Sequence, residues 1–412
     1  MKQAMPRSPE SRRAARGAAS DPRPTVLVVD DNAAVREMLG DILASHFDVR
    51  LSGDSREALE RFEAELVDVV LLDILMPGVD GLEVLSRLRA MKPDVPVIVV
   101  SGLDRAAPAA NAMCLGARDY LTKPVDVALL LSTVKSAVLS ATRKAPLDIP
   151  GQRNPWPPRA DVVLVGDDIS ALAGVKVALM PLSARIAPMT AVGLQHLTAG
   201  QPDFVLVEEP PNAEEAISAV RAARNAVPTC KLALGCDVTN GRASNDARLK
   251  EALSREVDVF LSKPYELNEI RGWVTVARGR ERDVADLGPL SPHVVRAIHY
   301  LSHHYASAAL DAAAGVARVS PGYLAHVFRA ELDTTFWDCV TTVRLEVAKD
   351  LLARTSHKLA RIAELAGFCD APHLSRVFSR YCGCSPRCSP RAYRNKMLRF
   401  SGPDRLAAEP VA

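Results

Sequence analysis

Five side chains in the first third of the chain have the types and spacing of a phosphate-handling site. Asp30 and Asp31 follow the apolar run TVLVV, Asp73 follows VVLL, Ser101 follows VIVV, and Lys123-Pro124 follow YLT. If each run is a strand of one parallel sheet, all five emerge at the same edge, beyond the carboxyl ends of the strands. Three carboxylates brought together repel one another unless a cation sits among them. An oxygen-only set of this kind suits Mg²⁺, which takes one or two carboxylates plus phosphate oxygens and keeps several waters. Lys123 adds positive charge where a phosphoryl oxygen would lie, and Ser101 offers a hydroxyl donor. A carboxylate so placed can act as a nucleophile and become an acyl phosphate. The chain is not expected to be an enzyme.

The elements that must position these groups are legible around them. Val26–Val29, Val69–Leu72 and Val97–Val100 are short apolar or β-branched runs, as expected for strands buried on both faces. Helical stretches lie between and after them at Ala33–Ala44, Ser55–Ala64, Gly81–Ala90 and Val125–Ala141. This alternation predicts a doubly wound parallel sheet. The segment resembles the receiver domain of two-component response regulators over about residues 24–142. The resemblance implies that Asp73 is the phospho-acceptor and that Asp31, Asp73 and the backbone carbonyl of Leu75 hold Mg²⁺, with Asp30 assisting. It also implies that Ser101 senses the phosphoryl oxygen, that Lys123 contacts it, that Tyr120 is the aromatic turning inward on activation, and that Lys123-Pro124 is a cis peptide.

A second block repeats the plan. Its strand candidates are Val162–Val165, Phe204–Val207, Lys231–Leu234 and Val257–Leu261, and its helical stretches include Ile169–Ala178, Glu214–Ala226 and Leu267–Ala277. Asp167-Asp168 match the acidic pair, and Lys263-Pro264 with Phe260 match the last-strand signature. Glu208 falls opposite Asp73, and Gly235 falls where Ser101 falls. A longer carboxylate at the acceptor and a missing hydroxyl read as a pseudo-receiver. It retains groups that could hold a cation but is not phosphorylated by the usual route. Glu208 either imitates a phosphorylated state or leaves the domain as a dimerisation or contact module.

The third block changes character, with short amphipathic helices broken by Ser-Pro, Gly-Phe and Gly-Cys. Leu310–Arg329 reads helix, turn, helix, with Ala314 at the crossing and Ser320-Pro321 capping the second helix. Leu359–Arg380 repeats the pattern with Ala363, a turn at Gly367 and a cap at Asp370. Phe336–Leu352 joins them as one long helix, which suits two readers placed in successive major grooves about 34 Å apart. The segments RLEVAKDLL, IAELAGF, HLSRVFSRYCGCSP and AYR give the block a resemblance to the AraC/XylS-type DNA-binding domain over about residues 292–394. By position, this resemblance implies that Gly322, Ala325, His326 and Arg329 face DNA from the first reading helix. Ala371, Pro372, His373, Ser375 and Arg376 would do so from the second. Asp333 and Cys339 stand where the family usually has Gly and Tyr, and CSPRCSPR looks like a four-residue duplication.

Composition sets the frame for these readings. The 412 residues are 48% hydrophobic and 24% charged, which fits a globular chain of two to four domains. No apolar run reaches the ~18–20 residues of a membrane span. The start, with Arg7, Arg12, Arg13 and Arg16, has no apolar core of a secretory signal. With eight cysteines and no export signal, reduced thiols in the cytoplasm are the default. Net charge is −7 over residues 24–140 and +6 over 291–412, so nucleic acid is a candidate partner for the back end.

The expected organisation is a disordered basic arm at 1–23, a receiver at 24–142, a Pro-rich linker at 143–160, a pseudo-receiver at 161–280, a linker at 281–291, a tandem helix-turn-helix domain at 292–397 and a tail at 398–412. In fold class it is multidomain, with two α/β doubly wound (flavodoxin-like) domains followed by an all-α domain. The expected function is a response regulator that takes phosphate on Asp73 from a sensor histidine kinase. It would then bind promoter DNA, as a phosphorylation-dependent dimer and with RNA polymerase as a further partner. The alternative from another class is an adaptor or phosphate sink with little DNA binding.

Overall fold

The computed structural model describes residues 23–76, 80–102, 109, 111–113, 115–142, 161–189, 197, 202–210, 212–237, 251–278, 287–382 and 385–386. The basic arm, the Pro-rich linker, most of the CSPR duplication and the tail lie outside them.

The first α/β domain runs β1 (Thr25–Val29), α1 (Ala33–Ala44), β2 (Asp48–Ser52), α2 (Ser55–Ala64), β3 (Val69–Leu72), α3 (Gly81–Met91), β4 (Val97–Ser101), β5 (Asp119–Thr122) and α4 (Val127–Thr142). Its five strands are all parallel in the order β2-β1-β3-β4-β5. The continuous apolar runs Val69–Leu72 and Val97–Ser101 are buried throughout, because helices cover both faces of a crossover-connected sheet. Each of the first three helices starts at a side-chain cap, Asn32, Asp54 or Asp80, whose oxygen accepts an otherwise orphaned amide. The order reverses between β1 and β3, so a crevice opens at their carboxyl ends.

The second α/β domain runs β6 (Val162–Val165), α5 (Ile169–Ala178), β7 (Ala184–Ala187), β8 (Phe204–Glu208), α6 (Ala213–Ala226), β9 (Lys231–Asp237), β10 (Val259–Lys263) and α7 (Leu267–Arg278). Its parallel sheet has the order β7-β6-β8-β9-β10, the same topology as the first. The last strand sits two residues later than the apolar pattern predicts, since Val257 already packs in the core ahead of it. Cis peptides occur at Lys123-Pro124, Met180-Pro181 and Lys263-Pro264.

The remaining elements are helical: α8 (Pro292–His304), α9 (Leu310–Ala317), α10 (Pro321–Leu332), α11 (Phe336–Arg354), α12 (Leu359–Leu365) and α13 (Ala371–Cys382). Ser320 caps α10 with Pro321 in its first turn, and the Asp370 carboxylate accepts the His373 amide at 2.6 Å. Ala314 and Ala363 are buried where the helix pairs cross. Gly367 has φ +81°, and a Cβ there would lie 2.5 Å from Ala306 Cα, so only glycine makes this turn. Asp333 takes the left-handed conformation usually given to glycine, at φ 50°. Cys339 is fully buried in α11.

Candidate functional site

The first pocket forms at the β1/β3 crevice. Asp30 and Asp73 are buried, Asp31 is exposed, and oxygens of the three carboxylates lie within 4.8 Å of one another. Lys123 Nζ stands between two of them, 2.7 Å from Asp30 and 2.5 Å from Asp73. Burial opposes its charge, but the two carboxylate bonds outweigh burial and raise its pKa above the ordinary lysine value. The other Asp73 oxygen accepts the Leu75 amide at 2.8 Å, and Asp30 accepts the Asn32 amide at 3.0 Å. Leu75 is exposed on a loop held close by Gly81, where a Cβ would meet Ile74 Cα at 2.3 Å. Ser101 ends β4 fully buried, and Tyr120 is buried in β5. The pocket thus brings Asp30, Asp31, Asp73 and Lys123 together. An all-oxygen donor set carrying three negative charges against one ammonium fits a hard divalent cation such as Mg²⁺.

The second pocket differs from its expected form in register. Val29 pairs with Ser52 and Leu72, while Val165 pairs with Ala187 and Val207. The next amides agree, Asp30 N donating to Ser52 O and Gly166 N to Ala187 O, each at 3.1 Å. The counterpart of Asp30 is therefore Gly166, that of Asp31 is Asp167, and that of Asn32 is Asp168. Asp168 caps α5 as Asn32 caps α1. The expected match of Asp167-Asp168 to the acidic pair is displaced by one residue, and only one pocket acid remains from it. The same ladders correct Gly235. Ser101 pairs with Thr122 just before Lys123, and Cys236 pairs with Ser262 just before Lys263. Cys236, not Gly235, takes the place of Ser101.

Glu208 does occupy the position of Asp73, and its longer side chain closes the pocket from within. One oxygen lies 2.9 Å from Lys263 Nζ and accepts the Tyr265 hydroxyl at 3.3 Å. The other accepts the Asp167 and Asp168 amides at 3.2 and 3.1 Å. The room comes from two glycines. A Cβ on Gly166 would fall 2.1 Å from the Glu208 carboxylate, and one on Gly235 would fall 2.2 Å from the Tyr265 hydroxyl. Burial and the neighbouring Glu208 charge raise the Tyr265 pKa far above the ordinary phenol value. Tyr265 and Cys236 are pocket residues that sequence reasoning missed; the Lys-Pro-Tyr run was the available signal for the first.

In the helical domain, Gly322 and His326 are exposed on α10, whereas Ala325 and Arg329 are half-buried. On α13, Pro372 and Arg376 are exposed, and Ala371 and Ser375 are half-buried. His373 is a correction. It is 8% exposed with its ring edge-on to Phe368 at 5.5 Å, so it belongs to the core and does not face outward. Its place in the first turn of α13 suited a contact role, but that turn directs position 373 inward beside Leu374. Tyr323 and Arg380, both exposed, share the outer faces with His326 and Arg376 at helical spacing. Cys230, Cys236, Cys339 and Cys382 are reduced thiols. Among the described residues, no helix is long and apolar enough to cross a membrane.

Comparison with known proteins places both ends of the chain. Residues 26–135 match the family described as response regulator receiver domain, and residues 313–396 match one described as helix-turn-helix domain. Response regulator MprA of Mycolicibacterium vanbaalenii is 38% identical over 118 residues, 28% of this chain and 51% of that protein. The chain thus spans about half the length of the MprA relatives it matches. Transcriptional regulatory protein YesN of Bacillus subtilis is 27% identical over 373 residues, covering 88% of this chain and 96% of YesN. Among solved structures, a CheY-like receiver domain protein from Methanospirillum hungatei is 27% identical with a TM-score of 0.28, covering 29% of this chain and 96% of that one. The chain carries a receiver domain at its front and an AraC-type helix-turn-helix domain at its back, and over most of its length it is similar to a transcriptional regulatory protein.

Proposed function

We propose that this chain is a DNA-binding response regulator, with a receiver at 24–142, a pseudo-receiver at 161–280 and a DNA-reading domain at 292–397. The observation that carries the reading is the first pocket, where Lys123 bridges Asp30 and Asp73 with Asp31 within 4.8 Å. A sensor histidine kinase presents a phosphohistidine, and an Asp73 oxygen attacks phosphorus. The P–O bond forms as the P–N bond breaks, and the leaving imidazole takes up a proton. Mg²⁺, held by Asp30, Asp31, Asp73 and the Leu75 carbonyl, would supply charge neutralisation at the phosphoryl oxygens. Lys123 turns from the acceptor carboxylate to a phosphoryl oxygen, and the Ser101 hydroxyl donates to another. The new group carries about −1.5 to −2 charges and strong acceptor oxygens. That charge reorganises the face around β5 and Tyr120 and favours dimerisation. Gly322, Tyr323, Ala325, His326 and Arg329 of α10, with Ala371, Pro372, Ser375, Arg376 and Arg380 of α13, then meet promoter DNA, where RNA polymerase is the downstream partner.

Incubation with acetyl phosphate and Mg²⁺ tests the reading. The wild-type chain should take up one phosphoryl group, Asp73→Asn should take up none, and phosphorylation should tighten binding to duplex recovered from a random pool. Labelling that survives Asp73→Asn overturns the site, and a chain that recovers no duplex even at low salt points to the adaptor.

A further inference from the structure

Helix α5 of the second α/β domain has the sequence of a helix with no solvent face. Counting from the caps, Arg36, Glu37 and Asp41 of α1 are replaced in α5 by Leu172, Ala173 and Val177. Helix α1 buries one stripe, Leu39, Gly40 and Leu43, while α5 buries Leu172 through Val175 and then Val177 and Ala178. A helix apolar on all sides must be covered on all sides. One side of α5 meets its own sheet, and the other meets α8 and α11.

The second contact is specific. Gly174 packs so tightly on α8 that a Cβ would lie 2.2 Å from Ser302 Oγ. Lys176 Nζ reaches Glu346 of α11 at 2.8 Å, and Lys349 joins the same carboxylate at 2.9 Å. Glu346 is 7% exposed. At the far end of α11, Arg354 pairs with Asp167 at 2.6 Å and with Asp350. Ile169 packs against the core around Leu352, Ile362 and Phe378 of the second helix-turn-helix unit. The start of α5 is in turn tethered by Glu208, which accepts the Asp167 and Asp168 amides. From α7, Asn268 exchanges two hydrogen bonds with Leu290, and Arg271 donates to Gly288 O at 2.9 Å.

We propose that the second α/β domain is an intramolecular brace for the DNA-reading domain, its α5 face docked on α8 and α11, and not a second signal input. Helix α11 sets the spacing between the two reading units, and α5 holds it at its middle through Lys176 and at its end through Asp167. Ordering the readers before they meet DNA removes part of the ordering cost of binding. The proposal rests on the reading of the last domain as DNA-binding, and its test has one arm that does not use DNA.

The test is Gly174→Leu in the full-length chain, which wedges α5 off α8 without touching either pocket or a reading helix. By calorimetry, the second α/β domain and the helical domain of the wild-type chain should unfold in a single transition, which the variant should split into two. Affinity for a duplex recovered by the wild-type chain from a random pool should fall about tenfold, while acetyl phosphate labelling of Asp73 is unchanged. If Gly174→Leu does not fold, the Lys176→Met, Glu346→Gln and double variants serve instead, with a non-additive loss expected in both stability and duplex affinity. An unsplit transition or additive losses overturn the brace. So does a split transition, or non-additive losses in stability alone, with unchanged duplex affinity. If the wild-type chain recovers no duplex, the DNA-binding reading fails, and the unfolding arm still decides whether the two domains form one body.

Discussion

The two α/β domains share a strand order, a cis Lys-Pro and a lysine reaching the carboxylate at the central strand end, Asp73 or Glu208, yet their pockets obey different electrostatics. At Asp73 the short carboxylate reaches Lys123 and one backbone amide, that of Leu75, leaving Asp31 exposed and three negative charges facing one ammonium. At Glu208 one added methylene carries the charge to two backbone amides as well as Lys263 and Tyr265. A pocket with surplus negative charge attracts a divalent cation, whereas one whose single buried carboxylate is fully partnered gains nothing from it. Glycine at 166, where the first pocket has Asp30, and the longer side chain at 208 are complementary, since the Glu208 carboxylate fits only where Gly166 has no Cβ.

The comparison can be strained most severely at the lysines. Lys263→Met strips Glu208 of its cation inside a buried site and should cost the second domain about 3 kcal/mol in urea unfolding, with or without metal. Gly166→Asp should cost about 1–3 kcal/mol by overpacking alone. Combining it with Glu208→Asp should recover most of that loss and raise the Mg²⁺ stoichiometry read by titration calorimetry from one, expected for the wild-type chain, to two. If the double variant stays as unstable as the single one, the complementarity is wrong. Lys123→Met should cost about 2 kcal/mol without metal, and the loss should shrink as Mg²⁺ is added, because the ion replaces the missing charge.

The smallest effect is in alkali. Tyr265 has its pKa raised in the folded state, so its contribution to stability is complete below the unfolded value of 10.0 and is lost as pH rises above it. The second domain should therefore weaken above about pH 10, and Tyr265→Phe should flatten that loss in a pH series of melting curves. The first pocket has Val125 at the same distance from its lysine and so lacks the phenol; its own alkaline loss comes from Lys123, whose pKa is also raised, and Tyr265→Phe should leave that loss unchanged.

Much of this was legible in the sequence because the signals were local. Val69–Leu72 and Ser55–Ala64 form the elements predicted, with the same ends, since an apolar run and an Asp cap each act within a few residues. The first pocket was equally legible, because strand ends in a parallel sheet converge wherever the loops lead. The second pocket was not. The doublet Asp167-Asp168 looks like Asp30-Asp31, and only ladder pairing, a contact between residues far apart in the chain, shifts it by one. His373 failed for a similar reason, since its burial depends on Phe368 across a turn. The apolar α5 was visible in the sequence, but its partner on α11 is about 170 residues away and had no local trace.

On the proposed reading, Glu208 also sets a count: with the second acceptor position answered by an internal carboxylate, each chain would store one phosphoryl group whatever the donor concentration. The input curve of a single subunit is then a simple saturation. Any steepness in a transcriptional response would, on that reading, come from association between subunits, and it should vanish when they are diluted apart.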